Sequence, residues 1–221
     1  MCPKKCSMIK AVIFDLDGTL LDTSRDIHAV INASLQRYNL PQISYEDTLK
    51  FVGNGAKKLV ERAVGDRADM LQKVYADYAE RFVNCDNAHT CLYPEESETL
   101  KKFKEAGVQL AIVSNKPQRA TERVYDKFLS NFEFNIVLGQ TEYYPLKPNP
   151  ASTNHILSQL GVTCNECIFV GDGETDVETA KAANLKCVSV LWGFRTKGQL
   201  LRAGAKNFIE KFSELENFVL Q

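Results

Sequence analysis

The sequence predicts an α/β fold: a Rossmann-like parallel sheet core with an inserted α-helical cap. Three observations carry that expectation. Short, continuous apolar runs recur along the chain, the pattern of strands buried on both faces. From residue 92 onward amphipathic stretches alternate with these runs, which is the order of βαβ units. Between about residues 22 and 91 the apolar residues instead follow only helical spacing.

The first strand is expected at AVIF, residues 11–14, and it ends in the acidic turn DLDGTLLDT, residues 15–23. The helical insertion follows at once. DIHAVINASLQRYNL puts Ile27, Val30, Ile31 and Leu35 on one face and stops before Pro41, and AKKLVERAV and MLQKVYADYAERFV continue the pattern. Later strands are expected at LAIVS (110–114), FNIVL (134–138), CIFVG (167–171) and CVSVL (187–191), with a weaker NFI at 207–209. Helices are expected at 95–106 before Gly107, 117–129, 150–160 before Gly161, and 174–183. This assigns residues 1–21 and 92–221 to the core and 22–91 to the cap.

Composition narrows the function classes. At 221 residues, 44% hydrophobic and 25% charged, the chain has the makings of a globular core. A formal charge of -1 gives no electrostatic footprint for nucleic acid or an anionic membrane. No apolar run approaches the roughly 20 residues that span a bilayer, and MCPKKCSMIK lacks the apolar stretch of a secretory signal. The expected location is the cytoplasm, as a monomer or homodimer. Seven cysteines, an odd set, read as reduced thiols; Cys164 and Cys167 form the only CxxC, and Cys2 and Cys6 precede Met8 as dispensable residues.

Four candidate groups of polar residues fall at the carboxyl ends of the expected strands, where parallel α/β sheets bind ligands. The first run ends in Asp15 and Asp17, two carboxylates beside Gly18, costly to desolvate without a cation or a reactive role. The second leads to Ser114 and Asn115, small polar groups suited to holding an anion at a helix start. Lys147 follows the third, in a loop stiffened by Pro145, Pro148 and Pro150. The fourth ends in GDGETD, with Asp172 and Asp176 one helical turn apart. Each group alone is an ordinary turn, cap or solvated charge. Together they supply a carboxylate nucleophile, a second carboxylate, phosphate-holding groups and enough negative charge to require a hard cation, the parts of magnesium-dependent phosphoryl transfer.

On these residues the chain resembles the haloacid dehalogenase superfamily, in its phosphoglycolate phosphatase-like branch with a helical cap. Asp15 to Leu20 match DxDGT[LV]; Ser114, Lys147 and the set Gly171, Asp172 and Asp176 match the second, third and fourth motifs. LLDT, VGNG, SNKP and WGF are looser matches to the same branch. The resemblance implies that Asp15 attacks phosphorus and that Asp17 protonates the leaving oxygen and then activates water. It implies a Mg2+ ligated by Asp15, the backbone carbonyl of Asp17 and Asp172, with Asp176 behind them. Ser114, Asn115 and Lys147 would hold phosphoryl oxygens, and Gly53, Asn54 and Lys57 would reach the substrate from the cap. Gly173 stands where a small hydroxyl residue is often found, which puts one supporting hydrogen bond in question.

The implied activity is hydrolysis of a small, phosphoglycolate-like phosphomonoester; a phosphomutase, a pyrophosphatase or a non-catalytic regulator are the alternatives. Asp17 weighs against carbon-halogen cleavage, because halide leaves without a general acid. Gly53 and Gly55 lack the preceding strand of a dinucleotide site. Lys57, Lys58 and Arg62 share a helix, as a solvated or a substrate-facing patch. His28, His89 and His155 lack ligand spacing, and Trp192 and Phe194 are expected in packing.

Overall fold

The computed structural model describes residues 8–220; Cys2 and Cys6 lie outside the described residues. Strand β1 (Ala11–Phe14) is wholly buried, and β2 (Leu21–Asp22) follows the acidic turn. Helices α1 (Ser24–Arg37), α2 (Tyr45–Phe51), α3 (Ala56–Val64) and α4 (Leu71–Asn84) come next, and β3 (Cys91–Leu92) brings the chain back. The remainder alternates: α5 (Glu96–Glu105), β4 (Gln109–Pro117), α6 (Gln118–Phe128), β5 (Ile136–Gln140), α7 (Ala151–Leu160), β6 (Cys167–Gly171), α8 (Glu174–Ala182) and β7 (Lys186–Val190). It closes with α9 (Lys197–Ala203), β8 (Asn207–Ile209) and α10 (Glu216–Val219).

Six parallel strands form one sheet in the order β5-β4-β1-β6-β7-β8, so the fold is the α/β class that the sequence predicts. Strand β1 lies between β4 and β6, with Phe14 opposite Ile112 on one side and Val170 on the other. After β5 the chain crosses to the far side of β1, which makes the carboxyl ends of β1, β4 and β6 the topological switch point. Alternate residues feed two apolar layers. Val12, Phe14, Ile112 and Val170 pack with Leu100 and Phe103 of α5, while Ile13, Val113 and Phe169 pack with Ile156 of α7 and Ala180 of α8. Helices on both faces are the reason that the strands read as unbroken apolar runs.

The residues between β2 and β3 build a second apolar cluster, which Ala120 of α6 and Phe194 join from outside. Ile27, Ile31 and Leu35 of α1 meet Leu59 and Val60 of α3 and Val74, Tyr78 and Phe82 of α4.

Besides the short helices α9 and α10, which the sequence reading omits, three features differ from the sequence expectation. Helix α2 goes unanticipated because its inward contact is polar: Thr48 is buried and its hydroxyl lies 2.8 Å from His28 Nδ1. The stretch from residue 22 to 91 is not free of strand at its ends, since Leu21 pairs with Leu92 and Asp22 with Cys91 in an antiparallel ribbon. Two residues per strand are too few to show a period. Strand β4 also runs past Ser114 to Pro117 through a register shift after Val113, which places Ser114, Asn115 and Lys116 within an irregular strand end.

Candidate active site

The turn after β1 is tight. Leu20 and Leu21 both donate from their backbone N–H to Leu16 O at 3.0 Å, and Gly18 adopts φ +88°. A Cβ on Gly18 would sit 2.5 Å from Asp172 Oδ2, so a side chain there would both strain the backbone and displace that carboxylate. Because the chain leaves the sheet at Phe14, the two acids of this turn find different partners.

Asp15 faces the sheet interior, where Lys147 Nζ lies 2.8 Å from its Oδ1 and 2.7 Å from Asp176 Oδ1. Lys147 also donates to Val113 O at 3.1 Å and keeps only 2% of its side chain exposed. The contact with Asp15 is a charge contact out of line for a hydrogen bond, so this buried Oδ1 has no donor aligned on it. Burial lowers the affinity of Lys147 for its proton, but the charges of Asp15 and Asp176 outweigh that, and its pKa is raised.

Asp172 ends β6. Its Oδ2 accepts from Phe194 N at 2.7 Å and its Oδ1 from Thr19 Oγ1 at 3.3 Å. Asp176 is held by Lys147 on Oδ1 and by Gly173 N, at 2.9 Å, on Oδ2. Gly171 permits this close approach, since a Cβ there would meet Asp176 at 2.4 Å. Oxygens of Asp15, Asp172 and Asp176 lie within 4.8 Å of one another.

Burial, then the charge of Asp176, pushes Asp15 up to about 7. Burial, then Asp176 and Asp15, pushes Asp172 up to about 8. Three clustered buried carboxylates with one touching ammonium have excess negative charge, and oxygens gathered this closely fit a bound divalent cation. Asp176 has both oxygens in use, which suits an outer position.

Asp17 points elsewhere. Its Oδ1 accepts from Thr23 Oγ1 at 2.7 Å and from Lys116 Nζ at 2.9 Å. Ser114 is buried and lines the same cavity as Asp15, Asp17 and Asp172. That cavity encloses about 670 Å3 of empty space, its mouth included. Its far wall comes from the inserted helices, with Ile27, Val52, Leu59, Tyr78 and Phe82.

The sequence-predicted residues meet the cavity unequally. Gly53 and Asn54 line it, but Lys57 does not; it lies exposed on α3, and Lys58 pairs outward with Glu61 at 2.9 Å. Helical spacing turns Lys57 away because Ala56 and Leu59 face inward. Arg62 is also no substrate patch, since it donates to Phe51 O at 2.8 Å. The Asn115 carboxamide bonds Lys147 N at 2.8 Å, Lys147 O at 3.0 Å and Gly53 O at 3.0 Å. Its side chain is thus a tie between loops, and only its backbone is left for an anion.

Trp192 packs on Phe212 with ring centroids 5.5 Å apart, whereas Phe194 lines the cavity. Cys164 and Cys167 are free thiols away from the acidic cluster. Two charged residues receive no role in the sequence reading. Lys116 is visible there only as the third letter of SNKP. Arg195 is one charge after WGF, yet it pairs with Glu174 at 2.8 Å and donates to Leu49 O and Val52 O, each at 2.6 Å.

A family profile for haloacid dehalogenase-like hydrolases matches residues 12–190. A phosphoglycolate phosphatase of Pseudomonas fluorescens is 34% identical over 191 residues, covering 84% of this chain and 70% of that protein. One of Mannheimia succiniciproducens is 30% identical, covering 96% and 99%. A provisionally assigned phosphoglycolate phosphatase structure from Lactobacillus delbrueckii subsp. bulgaricus superimposes with a TM-score of 0.91 at 27% identity, covering 96% of this chain and 99% of that one. With the acidic turn, Asp172 and Asp176 lining one cleft and Lys147 buried behind it against Asp15 and Asp176, the chain is an enzyme that belongs to the haloacid dehalogenase-like hydrolase family.

Proposed function

We propose that this hydrolase is a magnesium-dependent phosphatase of small phosphomonoesters, working through an aspartyl-phosphate. The observation that carries the reading is the Lys147 ammonium between Asp15 and Asp176, inside an acidic cluster at the sheet's switch point. Asp15 supplies the oxygen that bonds to phosphorus as the ester P–O bond breaks. Asp17 delivers the proton that the departing alkoxide takes up. Water then attacks the phosphorus, gives its proton to Asp17, and the bond to Asp15 breaks to free phosphate. Ser114 and Lys147 hold the phosphoryl oxygens, and Lys147 also limits repulsion among the carboxylates.

Asp15, Asp172 and the Asp17 carbonyl would hold the Mg2+, which when bound offsets negative charge on the transferring group. Asp176 serves by fixing Lys147 and the Gly173 N–H. Residues 22–91 are the proposed cap, which shields the site, and residues 1–21 and 92–221 the catalytic core. The cavity suits a small substrate, and the relatives' names make phosphoglycolate the first compound to test. Among the described residues no helix is long and apolar enough to cross a membrane. We place the enzyme in the cytoplasm as a monomer or homodimer, without nucleic-acid partners.

The test is a panel of phosphoglycolate, alkyl and sugar phosphates, nucleotides and pyrophosphate, assayed with Mg2+ and then with excess chelator. Release of phosphate from a monoester that stops on chelation and returns with Mg2+ is expected. Preferential pyrophosphate cleavage, isomerisation of a sugar phosphate, or full activity in chelator would overturn the reading.

A further inference from the structure

Lys116 is nearly sealed from solvent, with 2% of its side chain exposed, and its two neighbours come from different parts of the fold. Nζ lies 2.9 Å from Asp17 Oδ1, at the turn after β1, and 4.2 Å from the centre of the Phe82 ring on α4. A buried ammonium needs compensation, and a carboxylate with an aromatic face supplies it. The same Asp17 oxygen accepts from Thr23 Oγ1 at 2.7 Å. Thr23 occupies the N-cap position of α1, where a threonine hydroxyl ordinarily bonds a free helix N–H, but it makes no such cap bond. Its hydroxyl is directed to Asp17 instead. Asp17 Oδ1 therefore carries two donors, whereas among the described residues none is placed on Oδ2, and Asp17 lines the cavity.

We propose that Lys116 is a positioning residue: with Thr23 it clamps Asp17 Oδ1 so that Oδ2 faces the leaving-group oxygen, and Phe82 transmits the docking of the cap to that clamp. The inference rests on the phosphatase reading in one respect, that Asp17 handles the leaving-group proton. In the step concerned the proton on Oδ2 passes to the ester oxygen as its bond to phosphorus breaks, leaving the Asp17 carboxylate held on Oδ1. The clamp thus bears on esters whose alcohol needs a proton to leave. An ester such as p-nitrophenyl phosphate, which leaves as a stable anion, is expected to depend on it little.

The experiment compares the full-length enzyme with Lys116→Met, Lys116→Arg and Phe82→Leu, all with Mg2+, on an alkyl phosphate, p-nitrophenyl phosphate and phosphoglycolate. Circular dichroism and thermal melts check folding. Expected for Lys116→Met is a fall in kcat of about 10- to 100-fold on the alkyl ester, against less than about threefold on p-nitrophenyl phosphate, with KM little changed. Lys116→Arg should recover part of the loss, and Phe82→Leu should show the same pattern more weakly. If Lys116→Met does not fold, Phe82→Leu decides alone.

Equal losses on all esters, or none, would overturn the clamp. So would a rise in KM confined to phosphoglycolate, which would mean that Lys116 meets the substrate's carboxylate. A wild-type enzyme that cleaves none of the three esters would remove the phosphatase reading and the clamp with it. Cleavage by wild type without the leaving-group pattern in the variants would remove the clamp alone.

Discussion

In the proposed mechanism Asp15 is both the nucleophile and one of three crowded buried acids, and these demands conflict. Desolvation and Asp176 raise its pKa to about 7, while Lys147 opposes them. A carboxylate so placed depends on local positive charge to stay ionised and reactive. Asp15→Asn should abolish turnover, by about a thousandfold or more, because an amide cannot form the aspartyl bond. The same change removes a costly buried charge, so the metal-free variant should melt no lower than the metal-free wild type at pH 8. Retained turnover in a folded variant would refute the nucleophile; a clear fall in the melting temperature would refute the electrostatic strain. DxDGT exposes the two acids of this turn to a sequence reader, but their different partners follow only from the exit of the chain at Phe14. Lys116 and Arg195 are unreadable for a related reason. A lysine or arginine in sequence is most often a solvated charge, and only tertiary contacts reveal burial.

At the scale of elements, two side chains tie the sheet's carboxyl edge to the inserted helices. The loop after β7 sends Arg195 across to the C-terminal carbonyls of α2, and its guanidinium is anchored by Glu174 at the start of α8. Asn115 makes a second tie, from β4 to Gly53 O. The N-terminus of α8 and the loop at residues 52–55 are thus mechanically connected through Arg195. Arg195→Met should leave the Leu49 and Val52 carbonyls without their charged donor, at a cost of about 1–3 kcal/mol. Hydrogen exchange should quicken across residues 45–55 more than in β1 or β6, and KM should rise more than kcat falls. Uniform exchange throughout the chain would show that the arginine is not a tie between these elements.

At the scale of the whole molecule the acidic cluster makes stability depend on pH. Asp15 and Asp172 have folded values of about 7 and about 8, both above the ordinary 3.8. Between pH 4 and 8 the folded chain therefore retains protons that the unfolded chain has released. With fewer protons bound in the unfolded state, the free energy of unfolding falls as pH rises through that window. A divalent cation bound only to the folded protein replaces those protons and reverses the penalty. Metal-free protein should lose melting temperature from pH 5 to pH 8, and Mg2+ should raise it more at pH 8 than at pH 5. A flat profile, or an equal Mg2+ effect at both pH values, would contradict the cluster as a cation site.

The alternation of apolar runs with amphipathic stretches determined the α/β class, because strands buried on both faces have no choice but continuous apolar residues. The shared placement of Asp15, Asp17, Ser114, Lys147, Asp172 and Asp176, as distinct from the roles proposed for them, was legible for a similar reason: their spacing after successive strands puts them on one edge of any parallel sheet. The tertiary structure decided what spacing cannot encode. It turned Lys57 outward by the helical phase of α3, diverted the Asn115 carboxamide to backbone partners, and paired Leu21–Asp22 with Cys91–Leu92 across the base of the insertion. It also sealed Lys116 between Asp17 and Phe82, residues 65 positions apart in the chain. Pairings at such separations depend on how two independently patterned layers dock, and a local pattern contains no information about that docking.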